Sequence, residues 1–398
     1  MFPGALSHAP NPTVFFRSST VTPSSSTSRK CNYSIRLSMA SSVRIVVVGD
    51  VHDDWDLQED SKALELLQHD DWDLQEDSKA LELLQIWCCL QAGFFMQCLF
   101  LLDYMASLPS FLVSELFWNS EYEFSVNGDF GNENVELVKS IAALKMAKAA
   151  ILGNHDAWNT QNFSEKRKDA VQLQLESFGE EHVGYKRLDF HPLKLSVVGG
   201  RPFSCGGERL FRKQLLAKRY GINNMNESAK RISDAALGTP KNHSIILLAH
   251  NGPTGLGSNL NDICGRDWVR EGGDHGDPDL ALAIAQLKGN TKHSVPLVVF
   301  GHMHKELAFG NGPRKMIVVG DDNTIYLNGA IVPRVKRFHD NPLTENPKHT
   351  LRAFTLIDSK EGKLEKIAET WVSVIGDNTS VEEEHILFSS NMLNTSNV

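Results

Sequence analysis

The sequence predicts an α/β fold, and three observations carry that prediction. Short apolar runs rich in β-branched residues recur at 43–48, 149–152, 245–249 and 295–300, the pattern of strands buried on both faces of a largely parallel sheet. Each run stops at a motif of polar, chemistry-bearing residues, where open α/β sheets place their ligands. Segments of helical spacing lie between them, as in Val135, Val138, Ile141 and Leu144. The chain has 398 residues, 41% hydrophobic and 22% charged, which suits one large soluble domain with appendages.

The first 42 residues are set apart. No Asp or Glu occurs before Asp50, Ser and Thr are abundant, and Arg17, Arg29, Lys30 and Arg36 are scattered among them. This is the composition of an organelle transit peptide, and it lacks the apolar core of a secretory signal. The Ser and Thr richness favours a chloroplast over a mitochondrion or the cytoplasm. Residues 43–48 form the first expected strand, ending in Gly49-Asp50.

An anomaly follows. Residues 52–68 read HDDWDLQEDSKALELLQ, and residues 69–85 repeat them without a change. Structural repeats drift and stack in threes or more, so an exact pair reads as a duplication in the coding sequence or gene model. Each copy suits a helix, with Asp56 as cap and Leu57, Leu64 and Leu67 on one face. A shift of 17 residues rotates the second stripe by roughly 260°, so a break is expected near His69-Asp70-Asp71. Residues 86–102 are uncharged and crowded with Cys, Phe and Leu, at the lower edge of membrane-spanning length. The readings are an apolar helix, a membrane span (the least favoured) or translated non-coding sequence. Residues 69–120 are therefore set aside as a duplicated and inserted segment of a domain spanning 43–375.

The remaining elements follow in order. Residues 121–127 alternate, with Tyr122, Phe124 and Val126 on one face and Glu121 and Glu123 on the other. That pattern suits an edge strand, or a disrupted approach to Asp129, because unpaired buried carboxylates are costly. Residues 135–150 give a helix running into a strand. Residues 188–198 give two short strands about His191-Pro192. Residues 211–237 are polar, basic and helical, a lid or a surface helix pair. Residues 315–319, 324–327, 352–357 and 364–372 supply later antiparallel strands, and 376–398 read as a flexible polar tail.

Five motifs carry the chemistry: Gly49-Asp50-Val51-His52, Gly128-Asp129, Gly153-Asn154-His155-Asp156, Ala249-His250-Asn251 and Gly301-His302-Met303-His304. Asp50 and His52, two apart beyond a strand, can reach one cation. Asn154 can ligate through its carbonyl oxygen, and two imidazoles one residue apart after a buried strand rarely serve packing. Carboxylates, an amide and imidazoles at separate strand ends suit a pair of divalent metals, and point to metal-assisted phosphoester hydrolysis. Nitrogen and oxygen donors without thiolate suit Mn, Fe or Zn.

In this order the motifs resemble the calcineurin-like metallophosphoesterases, whose pattern is D-x-H, G-D, G-N-H-[DE], H and G-H-x-H, and within them a plant and cyanobacterial branch. The resemblance covers residues 43 to about 375 apart from 69–120. It implies a four-layer α-β-β-α sandwich of two mixed sheets. It also implies that Asp50, His52 and His304 hold one metal, that Asn154, His250 and His302 hold the other, and that Asp129 bridges them. His155 would protonate the leaving group, with Asp156 orienting it.

Other residues are candidates for substrate contact: Asn132 and Asn251 beside ligands, and Arg201 and Arg334 after turns, where either arginine could pair a phosphate. Asp274-His275-Gly276-Asp277 reads as a solvated Gly-rich loop. The six cysteines form no C-x-x-C pair, and the net charge of −9 comes without a basic run. A small phosphorylated substrate therefore fits better than bulk nucleic acid. The alternative is a catalytically impaired or metal-binding scaffold on the same fold.

Overall fold

The computed structural model describes residues 42–52, 54–69, 122–290, 293–309, 312–338, 349–360 and 362–391. The expected leader, the second repeat copy beyond His69 and the apolar run at 86–102 lie outside the described residues. Among the described residues, no helix is long and apolar enough to cross a membrane.

The chain opens with β1 (Ser42–Gly49), α1 (Leu57–His69), β2 (Tyr122–Asn127), α2 (Val135–Ala142) and β3 (Lys148–Ile151). A 3₁₀ turn (His155–Ala157) and α3 (Ala170–Phe178) lead into β4 (Arg187–Phe190) and β5 (Leu195–Gly199). Next come α4 (Lys213–Tyr220), α5 (Met225–Ala235), β6 (Ser244–Leu248), α6 (Pro278–Asn290), β7 (Leu297–Phe300), β8 (Ile317–Val319) and β9 (Ile325–Asn328). Strands β10 (Val335–Phe338), β11 (His349–Lys360), β12 (Lys363–Ile375) and β13 (Asn378–Ser389) complete it.

These strands build two mixed sheets. One runs β13-β12-β11-β1-β2-β3, with β10 also on β11; the other runs β4-β5-β6-β7-β9-β8. The continuous apolar runs are explained by what lies on each face. Ile45, Val47, Ile246, Leu248, Leu297 and Val299 share the core between the sheets. Their neighbours Val46, Val48, Leu247, Val298 and Phe300 face the helix-side core with residues of α1, α2, α3, α5 and α6. The result is the α/β sandwich of two sheets with outer helices.

Local chemistry sets the helices. Asp56 Oδ1 accepts the backbone N–H groups of Gln58 and Glu59 at 3.0 Å each, an N-cap for α1. Asn134 and Asn224 cap α2 and α5, and Asp169 forms a capping box with Gln172 at α3. On α1 the buried stripe is Ala63, Leu64 and Leu67, whereas Leu57 is exposed, so the face is one turn shorter than its sequence spacing implies.

Two expectations are corrected. Strand β2 is not an edge: it pairs in parallel with β1 from Arg44↔Tyr122 to Gly49↔Asn127, and with β3 from Phe124↔Lys148 to Asn127↔Ile151. Pairing is a backbone property, and side-chain alternation alone did not reveal it. The strand expected at 324–327 is β9, antiparallel to β8 as expected and parallel to β7 on its other side. Residues 378–389 are no loose tail; they pair antiparallel with β12, and their polarity reflects a strand exposed along most of its length. The 211–237 segment holds the expected helix pair, α4 and α5, which packs on the core through Leu215, Leu216, Ile222, Ala229 and Ile232.

Candidate metal centre

The five motifs converge because strands of both sheets end side by side. The loops are tied by backbone bonds: His52 N–H to Asp129 O (2.8 Å), Gly128 N–H to Ile151 O (2.8 Å) and Gly301 N–H to His250 O (2.8 Å). The approach is too close for side chains. A Cβ on Gly128 would lie 2.3 Å from Gly153 N, and one on Gly153 would lie 2.4 Å from Asp129 Oδ1. Asp50, His52, Asp129 and His302 all have positive φ (34°, 43°, 54° and 68°), a region that non-glycine residues occupy at a cost and that clusters at functional sites.

Two groups of donors result. Asp50, His52 and His304 form one, and Asp129, His250 and His302 the other; within each, ligand atoms lie within 4.8 Å of one another. In the first, the Nε2 atoms of His52 and His304 face each other at 2.9 Å. Asp50 Oδ2 lies 3.5 Å from His304 Nε2 and 4.0 Å from His52 Nε2, and it is buried with no hydrogen-bond partner. A buried, unpartnered carboxylate oxygen facing two imidazole nitrogens is a donor set for a divalent cation. In the second, Asn154 Oδ1 lies 2.9 Å from His250 Nε2. Asp129 Oδ2 is 3.5 Å from His250 Nε2 and 4.0 Å from His52 Nε2, so this carboxylate stands between the groups. The residues present fit two cations.

Electrostatics match. Burial works against the Asp129 carboxylate, but the imidazoles of His250, His302 and His155 hold it well below the usual carboxylate range. Burial likewise opposes charge on Asp50, and the neighbouring imidazoles of His304 and His250 together outweigh that and lower its pKa. Against burial, the Asp129 charge raises His250 to about 9. Burial, reinforced by His250, pushes His302 down to about 3.

His155 lines the adjoining cleft with Asp129, His302 and His304. Its Nδ1 lies 2.7 Å from Asn132 Oδ1, and its ring stacks on Trp158 with centroids 4.7 Å apart and planes 8° off parallel. Arg212 fixes that turn through the carbonyls of Ala157 and Trp158. Burial lowers the His155 pKa, against the attraction of Asp129.

Several expected roles change. Asp156 does not orient His155. Its carboxylate accepts the backbone N–H groups of Gly153 (2.7 Å), Asp129 (2.9 Å) and Phe130 (3.0 Å), locking two ligand loops together. Asn132 is the imidazole's partner instead. Arg201 is buried and paired with Asp277 (2.7 Å) and Asp279 (2.9 Å). Arg334 is buried against Asp60 at 2.6 Å. Neither guanidinium is open to a phosphate arriving from solvent. Asn251 is buried too, donating to His275 O at 2.9 Å. The 274–277 segment is not a solvated loop, since Asp277 is buried and His275 lines the cleft. The sequence marks His275 only as part of the 274–277 loop, with no place in the cleft. Trp158 is not singled out by the sequence, and its one signal is its place two residues beyond Asp156.

The calcineurin-like phosphoesterase family model matches residues 43–306, about two thirds of the chain. No curated protein matches it.

Proposed function

Because the chain belongs to the calcineurin-like phosphoesterase family, we propose that it is a dinuclear metal-dependent hydrolase of phosphomonoesters or phosphodiesters. The observation that carries this reading is the position of Asp129, whose Oδ2 is within 4.0 Å of an imidazole nitrogen of each donor group. In this reading Asp50, His52 and His304 hold one cation, Asn154, His250 and His302 the other, and Asp129 contacts both. Bound there, divalent cations supply Lewis acidity, which offsets charge on phosphoryl oxygens and makes water nucleophilic at neutral pH. The donor set favours Mn, Fe or Zn.

The chain's own residues do the rest. Asn132 Oδ1 accepts from His155 Nδ1–H, so that the second N–H of the ring, carried in its imidazolium form, can protonate the departing alkoxide and leave a neutral imidazole, the role of a general acid. Trp158 fixes the plane of that ring. Asp156 holds the Asp129 and Asn154 loops in register through three backbone donors. The N-terminal 42 residues are read as a chloroplast transit peptide, tested by the fate of a fluorescent fusion to them.

The test is hydrolysis of p-nitrophenyl phosphate and bis(p-nitrophenyl) phosphate by the full chain with Mn²⁺, Fe²⁺ or Zn²⁺. Turnover is expected, with loss on His155→Ala and loss of bound metal on Asp129→Ala. Metal binding without turnover on either ester would leave a metal-binding scaffold. No bound metal would end the reading.

A further inference from the structure

The cleft beside the donor groups has a volume of about 560 Å³, and its outer wall differs from its floor. Trp268, Met303, Leu307, Val332 and Pro333 line it, and the Trp268 indole is 46% exposed. That indole is not loose. It meets the His275 ring edge-on with centroids 4.8 Å apart, and His275 in turn lies 6.1 Å from His302, nearly parallel to it. A carbonyl oxygen can only accept, so His275 Nε2 donates to Cys205 O at 2.8 Å and the ring is fixed in tautomer and angle. The preceding Asp267 accepts the Ala308 N–H at 2.6 Å, which joins the two loops that carry the wall. A large aromatic face is thus held, solvent-exposed, one side chain away from a metal-ligand imidazole.

The charges on this wall are two carboxylates and one guanidinium. The lining carboxylates outside the donor groups are Asp267 and Glu306, and Arg314 is the lining cation. Arg314 is committed: it pairs with Asp267 at 3.2 Å and donates to the carbonyls of His304 (2.8 Å), Asp262 (2.8 Å) and Gly265 (2.7 Å). A second phosphate on the substrate would find no uncommitted cation among the described lining residues. Glu306 is exposed at the rim and can only accept hydrogen bonds when ionised, as it would from ring N–H and amino groups.

We propose that the cleft selects a phosphoester whose alcohol carries a nucleobase, stacked on Trp268, with a single phosphate seated at the donor groups. The inference rests on the phosphoesterase reading and adds the substrate class and its specificity residue. Base stacking on an aromatic side chain predicts a preference of about tenfold.

The test compares adenosine 5′-monophosphate with ribose 5-phosphate, and the methyl diesters of each, using the Mn²⁺-loaded full chain. The departing primary alkoxide is the same within each pair, so the ratio of kcat/KM reports contact with the base and not leaving-group chemistry. The base-bearing esters should be favoured about tenfold through KM, and adenosine 5′-diphosphate should be a poorer substrate than the monophosphate. Trp268→Leu should bring the ratio close to one, and Trp268→Phe should restore most of it. A ratio near one in the unsubstituted protein, with p-nitrophenyl esters turned over normally, overturns the proposal. So does an equal loss on both esters in Trp268→Leu, which marks a merely structural residue, or octyl phosphate cleaved as well as the nucleotide. If no ester is hydrolysed, the phosphoesterase reading has failed. Equilibrium dialysis of adenosine 5′-monophosphate against the metal-loaded protein then decides separately: Trp268-dependent binding supports the ring site, and absence of binding overturns it.

Discussion

Asp60→Ala should be among the most destabilising single changes in the protein. The Asp60 carboxylate is fully buried, and it holds Arg334 at 2.6 Å and Arg352 at 2.5 Å while accepting the Asp56 N–H at 2.8 Å. Both arginines are themselves buried. With the carboxylate gone, Arg352 keeps Glu59. Among the described residues, Arg334 keeps a 3.3 Å bond to Asp54 O and its stacking over Trp55 and Phe354. Removing one partner of a buried ion pair costs about 3–5 kcal/mol, because the other charge stays desolvated. At roughly 2–4 °C per kcal/mol for a large domain, the melting midpoint should fall by about 6–20 °C. Thermal and urea unfolding of the full chain measure this. The double variant Asp60→Leu/Arg334→Met should lose less than the sum of its parts, since no unpaired charge remains. The same experiment tests the reassignment of Arg334. If Arg334→Met raised KM with the melting midpoint unchanged, or if Asp60→Ala cost under about 1 kcal/mol, Arg334 would be a substrate contact and the reasoning would fail.

Three further outcomes are expected. Gly153→Ala drives a Cβ to within 2.4 Å of Asp129 Oδ1, so metal stoichiometry by elemental analysis should fall below that of the unsubstituted protein. Asn132→Ala frees the His155 ring, and kcat should drop on the order of 10–100-fold with little change in KM, part of the contribution of a general acid; a KM effect alone would make Asn132 a substrate contact. His182 sets a pH limit. It is buried and accepts the Leu152 N–H at Nε2 (3.3 Å), and burial, with Arg219 and Lys186 nearby, lowers its pKa from 6.5 to about 3. The unfolded chain protonates this group first, so its contribution to stability is complete above pH 6.5 and is lost as the pH falls toward 3, by up to about 1.4 kcal/mol per pH unit. His182→Gln should flatten that acid limb in urea titrations.

Strands β1, β3, β6 and β7 were legible because each is buried on both faces, so composition alone marks them. The donors were legible because strand ends concentrate them. What stayed hidden depends on long-range pairing. Arg201 and Arg334 follow turns, as phosphate-binding arginines do, and only their partners Asp277, Asp279 and Asp60 show them to be internal. Asp156 sits beside His155 in sequence, yet its side chain points back to three amide groups. Asn132, 23 residues upstream, is the residue that reaches the imidazole. Sequence adjacency misled because a 3₁₀ turn sends neighbouring side chains in different directions. Strand β13 was missed because a polar strand exposed along most of its length has no apolar period to read.

The first repeat copy shows how the centre is held. Its Asp54 carbonyl, Asp56, Glu59 and Asp60 are all engaged with one another or with Arg334 and Arg352, from β11 and the approach to β10. This anchors the segment just after Asp50 and His52. On the other side Asp50 Oδ1 accepts the His302 N–H at 3.0 Å, and Asp129 Oδ1 accepts the His155 N–H at 2.8 Å. Each carboxylate therefore spends one oxygen on a backbone donor and turns the other toward the imidazoles. Four ligand residues at positive φ would cost about 1–3 kcal/mol apiece if nothing held them. These bonds, with the Asp156 clamp and the buried arginines, hold them through the protein's own contacts. Cation binding therefore need not supply the folding of the loops. Its energy opposes charge repulsion and proton loss at His250, whose pKa near 9 makes metal affinity rise with pH up to that value. Calorimetry in buffers of different ionisation enthalpy should show proton release at neutral pH, while far-ultraviolet circular dichroism stays unchanged on metal removal. A large loss of secondary structure on chelation would mean that the cations, rather than the clamps, build the centre.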